Sequence, residues 1–192
     1  WGLPFDPAGA PWQVQEPPID LRNAGVLADS WLFQRHGSTR TNANRGRANA
    51  VARAFLCVDF TDRDLEIDSS INLADPDVVA DAVQKNPTCA ACHQTLDPLA
   101  SFFWGYKPSF LPTIATYPQD HYAEGFFTIL GVPRRDPHYF GSPGGTLADL
   151  GRMLSIDPRF SLCAARRAYA YFHQLDLAAV PLDRAAELQA VL

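Results

Sequence analysis

The sequence predicts a mainly α-helical protein built around one core. Its 192 residues are 47% hydrophobic, which is typical of a globular chain long enough for one domain plus an appendage. Two helix starts are marked by the pairs Asp75-Pro76 and Asp157-Pro158, in which the aspartate can act as N-cap and the proline as the first helical residue. Apolar residues recur at three- and four-residue spacing after both pairs. We therefore expect helices to position any site that the chain carries.

Residues 1–19 are predicted to form an extended arm. They carry five prolines, whose rings fix φ, and they show no periodicity. Residues 20–35 are predicted to be helical with Asp20 as N-cap, and a second helix is expected over residues 45–57. Apart from the arm, residues 20–192 are expected to form a single domain.

Later helices are predicted from the same signals. The helix after Asp75 must end near Asn86 because Pro87 follows, and Cys89–His93 are expected to begin the next helix. A later helix has Thr146 as its expected N-cap. Two more helices are expected over residues 158–175 and 182–192. Three apolar stripes are predicted to face inward: Val78, Val79, Ala82 and Val83; Leu147, Leu150, Met153 and Leu154; and Phe160, Cys163, Arg167 and Tyr171.

Residues 105–145 are predicted to be a long irregular insert, because proline and glycine are frequent in them. The aromatic run Phe126-Phe127-Thr128-Ile129-Leu130 is compatible with a small hairpin. A long insert between helices is typical of either a flap over a site or a docking surface.

The pentapeptide Cys89-Ala90-Ala91-Cys92-His93 points to a cofactor. C-x-x-C-H is the attachment signature of haem c, in which each sulfur adds across one vinyl group and the next imidazole reaches the iron. Both sulfurs and the ring nitrogen must meet one rigid macrocycle within about two turns of helix. We expect one covalent haem c on Cys89 and Cys92, with His93 as the proximal ligand.

Two other interpretations of the cysteine pair are weaker. A thioredoxin-type C-x-x-C lies near a βαβ pattern, and the flanks of this pair show no such strand. A structural zinc site needs four ligands, usually from a second close pair, whereas Cys57 and Cys163 are single and distant.

Charge and hydropathy exclude some classes of partner. The net charge of −5 gives no electrostatic footprint for nucleic-acid binding, and no run approaches the length of a membrane span. The chain opens at Trp1 without a Met or a leader, so we expect a processed product or part of a longer protein.

The cofactor predicts the compartment. Haem c is attached outside the cytoplasm in bacteria, so we expect a periplasmic or extracellular protein in a setting that permits disulfides. Cys57 and Cys163 are then the natural pair, although two buried free thiols are also common in cores. A disulfide between them would close a long loop around the haem segment and stabilise the fold by about 4 kcal/mol.

Two stretches resemble the haem-bearing C-terminal region of large secreted bacterial proteins, which is described as a pair of adjoining families of unknown function. The first runs from Asn23-Ala24-Gly25-Val26-Leu27 through Asn44-Arg45-Gly46-Arg47 and Phe55-Leu56-Cys57 to the segment Asn86–Leu99. The second is Leu147–Phe172, which is similar to a family pattern of L-x-x-L followed by a cysteine that opens an aromatic helix.

The resemblance covers roughly residues 20–105 and 145–175. It departs at Ala100, where the family usually has glycine, and over residues 105–145. It implies a c-type haem in a mostly helical, cytochrome c-like setting, and it implies no reaction, because the family has none assigned. The resembling proteins often have a histidine near the position of His36.

Several residues near the motif are candidates for contact with the haem. The second ring nitrogen of His93 needs an acceptor, commonly a backbone carbonyl, and the Leu96–Leu99 turn is close enough to supply one. Arg45 and Arg47 suit the haem propionates, or else they are a solvated helix start. Three aromatic residues can wall the macrocycle or form ordinary core: Phe102, Phe103 and Trp104.

The distal ligand stays open on the sequence alone. His36 lies at the predicted end of a helix, before a polar turn, which is an unusual place for a core histidine. Met153 is the only methionine, but it falls on an apolar stripe. The other possibilities are an open site or one of the remaining histidines: His121, His138 and His173.

The leading functional hypothesis is single-electron transfer between redox protein partners, as a domain or subunit of a larger assembly. The alternative is a haem enzyme, peroxidase-like or acting on a small oxidant, with an open distal position. A third hypothesis makes the haem a structural staple. No Ser/His/Asp grouping, phosphate loop or paired acidic motif indicates hydrolase chemistry.

Overall fold

The computed structural model describes residues 6–9, 21, 23–29, 34–39, 41–62, 69–107, 122, 126–129, 131 and 134–191. Within these residues the chain is mainly helical, which confirms the predicted fold class at that level. The predicted arm, residues 1–19, lies outside the described residues except for a turn at residues 6–9. None of the described helices combines the length and the apolar character needed to cross a lipid bilayer.

The regular elements in chain order are helices α1 (Arg45–Leu56), α2 (Pro76–Lys85), α3 (Pro87–Ala100) and α4 (Phe126–Ile129), strands β1 (His138–Tyr139) and β2 (Ser142–Pro143), and helices α5 (Leu147–Ile156), α6 (Pro158–His173) and α7 (Leu182–Gln189). Short 3-10 turns occur at Gly25–Ala28, Ser101–Phe103 and Leu177–Ala179.

The helix predicted over residues 20–35 is wrong in its first half. Asn23 and Gly25 have φ of 62° and 57°, in the left-handed region, and Asp29 is extended, so residues 23–29 form the 3-10 turn Gly25–Ala28 and not a continuous α-helix. The turn still buries Leu27, which is one of the residues that made the segment look helical. The predicted N-cap Asp20 lies outside the described residues.

Most helix starts agree with the capping signals. The Asp75 carboxylate accepts hydrogen bonds from the backbone N–H groups of Asp77 and Val78, and Asp157 accepts one from Arg159. Thr146 forms a capping box at the start of α5. These side chains satisfy N–H groups that have no partner within the helix, which is why the local sequence predicts them well.

Two of the predicted buried stripes are too wide. On α2 only Val83 is buried, while Val78 is 38% exposed. On α6 Cys163 is buried as predicted, but the rest of its stripe is exposed: Phe160, Arg167 and Tyr171. The reason is that α6 packs against both α1 and α7, so its buried side chains are distributed over two directions.

Helix α3 lies at the centre of the fold. It packs against α1, α2 and β1, and the main core gathers side chains from α1, α3, the Ser101–Phe103 turn and α5. A second, smaller core joins α6 to α7 through Ala170, Val180 and Ala185. The first core is the one that supports the C-x-x-C-H segment, because Cys92 belongs to it.

The insert returns to α3 through a hairpin. β1 and β2 are antiparallel, with His138 opposite Pro143 and Tyr139 opposite Ser142. Phe140 and Gly141, with φ of 47° and 93°, form the two-residue turn, and this backbone favours glycine at the second position. The aromatic run considered for a hairpin is instead helical over Phe126–Ile129.

The disulfide between Cys57 and Cys163 is confirmed, with a Cα–Cα distance of 5.4 Å across 106 residues of chain. It joins the residue that ends α1 to the middle of α6. The closed loop contains the whole C-x-x-C-H segment.

Candidate haem-attachment site

The start of α3 places the three residues of the motif. Asn86 ends α2 and caps α3, accepting hydrogen bonds from the N–H groups of Thr88 and Cys89 at 3.0 and 3.3 Å. With Pro87 as the first helical residue, Cys89, Cys92 and His93 fall within the next two turns.

The two cysteines of the motif are free thiols. Cys89 is half-buried, whereas Cys92 is 7% exposed and its Sγ lies 3.5 Å from the carbonyl oxygen of Phe60. The same chain therefore holds one disulfide and one unoxidised pair, and only the unoxidised pair lies on a single helix with a histidine beside it.

The imidazole of His93 is oriented by a carboxylate. Nδ1 of His93 lies 2.9 Å from Oδ1 of Asp97, one helical turn further along α3. The acceptor belongs to the Leu96–Leu99 turn, as predicted, but it is a side chain rather than the expected backbone carbonyl. With Nδ1 engaged, Nε2 is the nitrogen available to a metal.

Asp97 is held by two arginines from other parts of the chain. Arg45 on α1 reaches both carboxylate oxygens, with Nε 2.6 Å from Oδ1 and Nη2 2.9 Å from Oδ2. Arg135, at the end of the insert, places Nη2 3.2 Å from Oδ2. Arg45 is in turn tied to the carbonyl of Thr41 at 2.9 Å. A planar guanidinium paired with a carboxylate in this way fixes both groups.

The charge state of Asp97 follows from these contacts. Burial opposes ionisation of the carboxylate, but the hydrogen bonds from His93 and Arg45 and the charge of Arg45 outweigh it, so the pKa of Asp97 is held far below its usual value. Asp97 is therefore a buried anion, only 6% exposed, beside the predicted iron ligand.

Arg47 has a structural role in the described contacts. Its guanidinium is buried and donates to four acceptors: the carbonyl oxygens of His36, Tyr106 and Lys107 and Oδ1 of Asn44. These bonds hold the chain after the Ser101–Phe103 turn against the start of α1. Its assignment to a haem propionate stays a prediction.

The three aromatic residues after α3 are core residues. Phe102 packs with Met153 beside Gly144, since both side chains would contact a Cβ atom added there. The carbonyl of Phe103 accepts a hydrogen bond from Asn44 at 3.0 Å. Nε1 of Trp104 donates to Thr128 at 3.0 Å. All three are at most 5% exposed, and their contact with a haem stays a prediction.

Three candidates for the distal position have distinct environments. Burial, together with the charges of Arg35, Arg53 and Arg47, lowers the pKa of His36 and so favours its neutral, metal-binding form. Met153 is 8% exposed within the main core. His138 lies on β1, which packs against α3, and its Nδ1 donates to the carbonyl of Asp136 at 2.8 Å, leaving Nε2 free of that bond.

The donor set fits a covalent haem c. Two free thiols precede an imidazole whose Nδ1 is already engaged, so the thiols would be available for thioether bonds and Nε2 would be available to the iron. Within the described part of the chain, no three Cys, His, Asp or Glu side chains are grouped so as to hold a metal ion by themselves. A cavity of about 600 Å³ lies elsewhere, between the Gly25–Ala28 turn and α5.

Comparison with protein-family models, with curated proteins and with solved structures found no match for this chain. The resemblance to the haem-bearing region of secreted bacterial proteins therefore depends on the sequence patterns of residues 20–105 and 145–175 alone.

Sequence reasoning missed Asp97 and Arg135. The spacing of four residues between His93 and Asp97 is a usable signal, because side chains at i and i+4 are neighbours on a helix. Arg135 lies 38 residues after Asp97 in an irregular insert, and no local pattern points to it.

Proposed function

We propose that this chain is a mono-haem c-type cytochrome domain that transfers single electrons between redox protein partners within a larger assembly. One observation carries the proposal: Cys89, Cys92 and His93 lie together on α3, with both thiols free and Nδ1 of His93 engaged by Asp97. When bound, the haem supplies a one-electron couple at its iron.

Each residue of the site has a defined part in this proposal. Cys89 and Cys92 form the thioethers that prevent loss of the cofactor, and His93 offers Nε2 to the iron. Asp97 and Arg45 keep the imidazole in one orientation. A fixed ligand suits electron transfer, because little rearrangement then accompanies a change of charge.

The disulfide supports the proposed location. A periplasmic or extracellular bacterial setting allows Cys57–Cys163 to persist, and it is also the setting in which haem c is attached. The disulfide and the free C-x-x-C pair are thus compatible in one compartment.

Expression of the chain in bacteria with a periplasmic haem c attachment system tests the proposal. The denatured protein is expected to keep its colour after acid-acetone extraction, and its mass should exceed that of the bare polypeptide by one haem. Cys89→Ala and Cys92→Ala should each remove one thioether, and the double variant should release all haem.

The chain offers a matched control for the cysteines. The double variant Cys57→Ala/Cys163→Ala also removes two sulfurs, but from the disulfide, and it should keep the covalent haem. A colourless extracted wild-type chain with the mass of the bare polypeptide would contradict the proposal.

The carboxylate beside His93 favours a second candidate function. A carboxylate partner makes a ligating imidazole more basic, and such a ligand also suits a haem enzyme, peroxidase-like or acting on a small oxidant. That function needs an open or displaceable distal position. A high-spin spectrum with binding of added CO or cyanide would select the enzyme, whereas a low-spin six-coordinate spectrum would select the electron carrier.

Variants of the distal candidates complete this test. If the iron is six-coordinate and its distal ligand is His36, Met153 or His138, the matching variant among His36→Ala, Met153→Leu and His138→Ala should convert the spectrum to high spin, while the other two leave it low spin. If all three variants keep the low-spin spectrum, none of the three residues is the distal ligand.

A further inference from the structure

The carboxylate of Asp97 has no freedom to turn. Oδ1 is 2.9 Å from Nδ1 of His93 and 2.6 Å from Nε of Arg45, and Oδ2 is 2.9 Å from Nη2 of Arg45 and 3.2 Å from Nη2 of Arg135. Four charge-assisted contacts on a side chain that is 6% exposed select one rotamer. The partner of His93 is therefore a fixed group, supplied from the same helix and held from two other segments.

We propose that Asp97 is a positioning residue that lowers the reduction potential of the iron bound by His93. The inference rests on the proposed haem c. Its basis is the kind of acceptor that the imidazole has: a buried carboxylate with a full negative charge, where a backbone carbonyl would offer only a dipole.

The direction of the effect follows from charge. A carboxylate that accepts the Nδ1–H bond draws the proton toward itself and makes Nε2 a stronger electron donor to the metal. A stronger donor stabilises the ferric state more than the ferrous state, because the ferric ion carries the larger charge, and the potential falls.

The two arginines moderate the effect. Arg45 and Arg135 share the negative charge of Asp97, so the imidazole receives only part of it. Arg135 is 38% exposed and makes one contact with the Asp97 carboxylate. Arg45 is 27% exposed and makes two contacts with it. Removing Arg135 therefore strengthens the pull of Asp97 on the imidazole without breaking the Arg45 pair.

A merely structural Asp97 would join α1 to α3 and have no effect on the iron. Asp97→Asn separates the two roles, because the amide keeps the shape and an acceptor oxygen but loses the charge. We expect the same haem content as the wild type, a higher midpoint potential in a mediated redox titration, and a shift of the paramagnetically shifted His93 Nδ1–H proton resonance.

Two further variants make the outcome decisive. Arg135→Gln should lower the midpoint potential, opposite in sign to Asp97→Asn, and should shift the same proton resonance the other way. Asp157→Asn is the matched control: Asp157 is also nearly buried and paired with an arginine, but it lies on the Tyr139–Arg159 cluster, so the potential should stay at the wild-type value.

The outcomes distinguish this inference from the proposed function. A wild-type chain without covalent haem defeats the proposed function itself. A haem-loaded wild type with unchanged potential and unchanged proton resonance in Asp97→Asn overturns the role of Asp97. If Asp97→Asn fails to fold, Arg135→Gln decides in its place, and an unchanged potential and resonance there have the same consequence.

Discussion

Nε of Arg45 lies 2.6 Å from Oδ1 of Asp97, although the two residues are 52 positions apart in the chain. The pair ties α1 to α3 and does so next to His93, so one contact serves both the packing of the two helices and the geometry of the candidate site. The stability of the fold and the orientation of the predicted iron ligand are therefore coupled.

Arg45→Ala should destabilise the protein by about 3 kcal/mol, because it leaves the nearly buried carboxylate of Asp97 with Arg135 and His93 as its remaining side-chain partners among the residues that the structure describes. Denaturant unfolding of the haem-loaded chain measures the loss. Arg152→Ala is the control, since Arg152 is 65% exposed and pairs with Asp149 at 3.7 Å, and it should change stability by less than about 0.5 kcal/mol. Equal losses in both variants would contradict the role given to Arg45.

The disulfide should contribute about 4 kcal/mol, because opening it frees a long loop in the unfolded chain. The free energy of unfolding of Cys57→Ala/Cys163→Ala is expected to be lower by about 4 kcal/mol, so this variant should unfold at a lower denaturant concentration than the wild type. Reduction of the wild type should produce the same shift. If the reduced and oxidised wild type unfold together, the disulfide is not a source of stability.

Gly144→Ala should destabilise the protein by about 1–3 kcal/mol through overpacking. A Cβ atom at Gly144 would lie 2.8 Å from Cε1 of Phe102 and 2.9 Å from Cε of Met153. Gly145→Ala is the neighbouring control, because, apart from its two chain neighbours, the nearest described atom to its Cβ would be Oδ2 of Asp149 at 3.8 Å. A thermal melt that ranks the two variants in the opposite order would show that the hairpin does not pack over Phe102 and Met153.

Stability should fall in acid partly through Asp157. The hydrogen bond from Arg159 lowers the pKa of Asp157 from its usual 3.8 to about 2, against the opposing effect of burial and with further help from the Tyr139 hydroxyl at 2.6 Å. Because the folded pKa is depressed, this contribution is complete above pH 4 and is lost as the pH falls from about 4 to 2.

The variant Asp157→Asn should be less stable than the wild type at neutral pH and should show a flatter decline between about pH 4 and 2. Tyr139→Phe removes one of the hydrogen-bond donors to the Asp157 carboxylate. It should therefore reduce, but not abolish, the stability that is lost between about pH 4 and 2. The free energy of unfolding, measured with denaturant, is plotted against pH for the wild type and Asp157→Asn. Parallel curves would show that Asp157 does not contribute to the loss of stability in acid.

Local signals predicted much of the fold. Asp75, Thr146 and Asp157 stand at helix starts because their side chains satisfy backbone groups only two or three residues away, and such contacts are visible in the sequence. The first half of the helix predicted over residues 20–35 was wrong because positive φ at Asn23 and Gly25 interrupts it, and a periodic apolar pattern carries no information on φ.

Burial was predicted less well than helix position. The stripe on α6 placed Phe160 and Tyr171 inside, yet they are 36% and 80% exposed, because the helix has two neighbours and turns its small residues Ala165 and Ala170 inward. A periodicity of 3.6 identifies one face and cannot count the partners that the face will meet.

The residues of the chain, read in order, are sufficient to assign the helical class and the C-x-x-C-H segment and to favour a Cys57–Cys163 disulfide, because these depend on neighbours in sequence or on simple pairing. Packing in three dimensions alone assigns the surroundings of His93. Asp97 lies one turn away and has a local signal, but Arg45 and Arg135 come from 52 and 38 residues away. Long-range electrostatic partners are selected by how helices and loops pack, and no spacing rule within one segment specifies that packing.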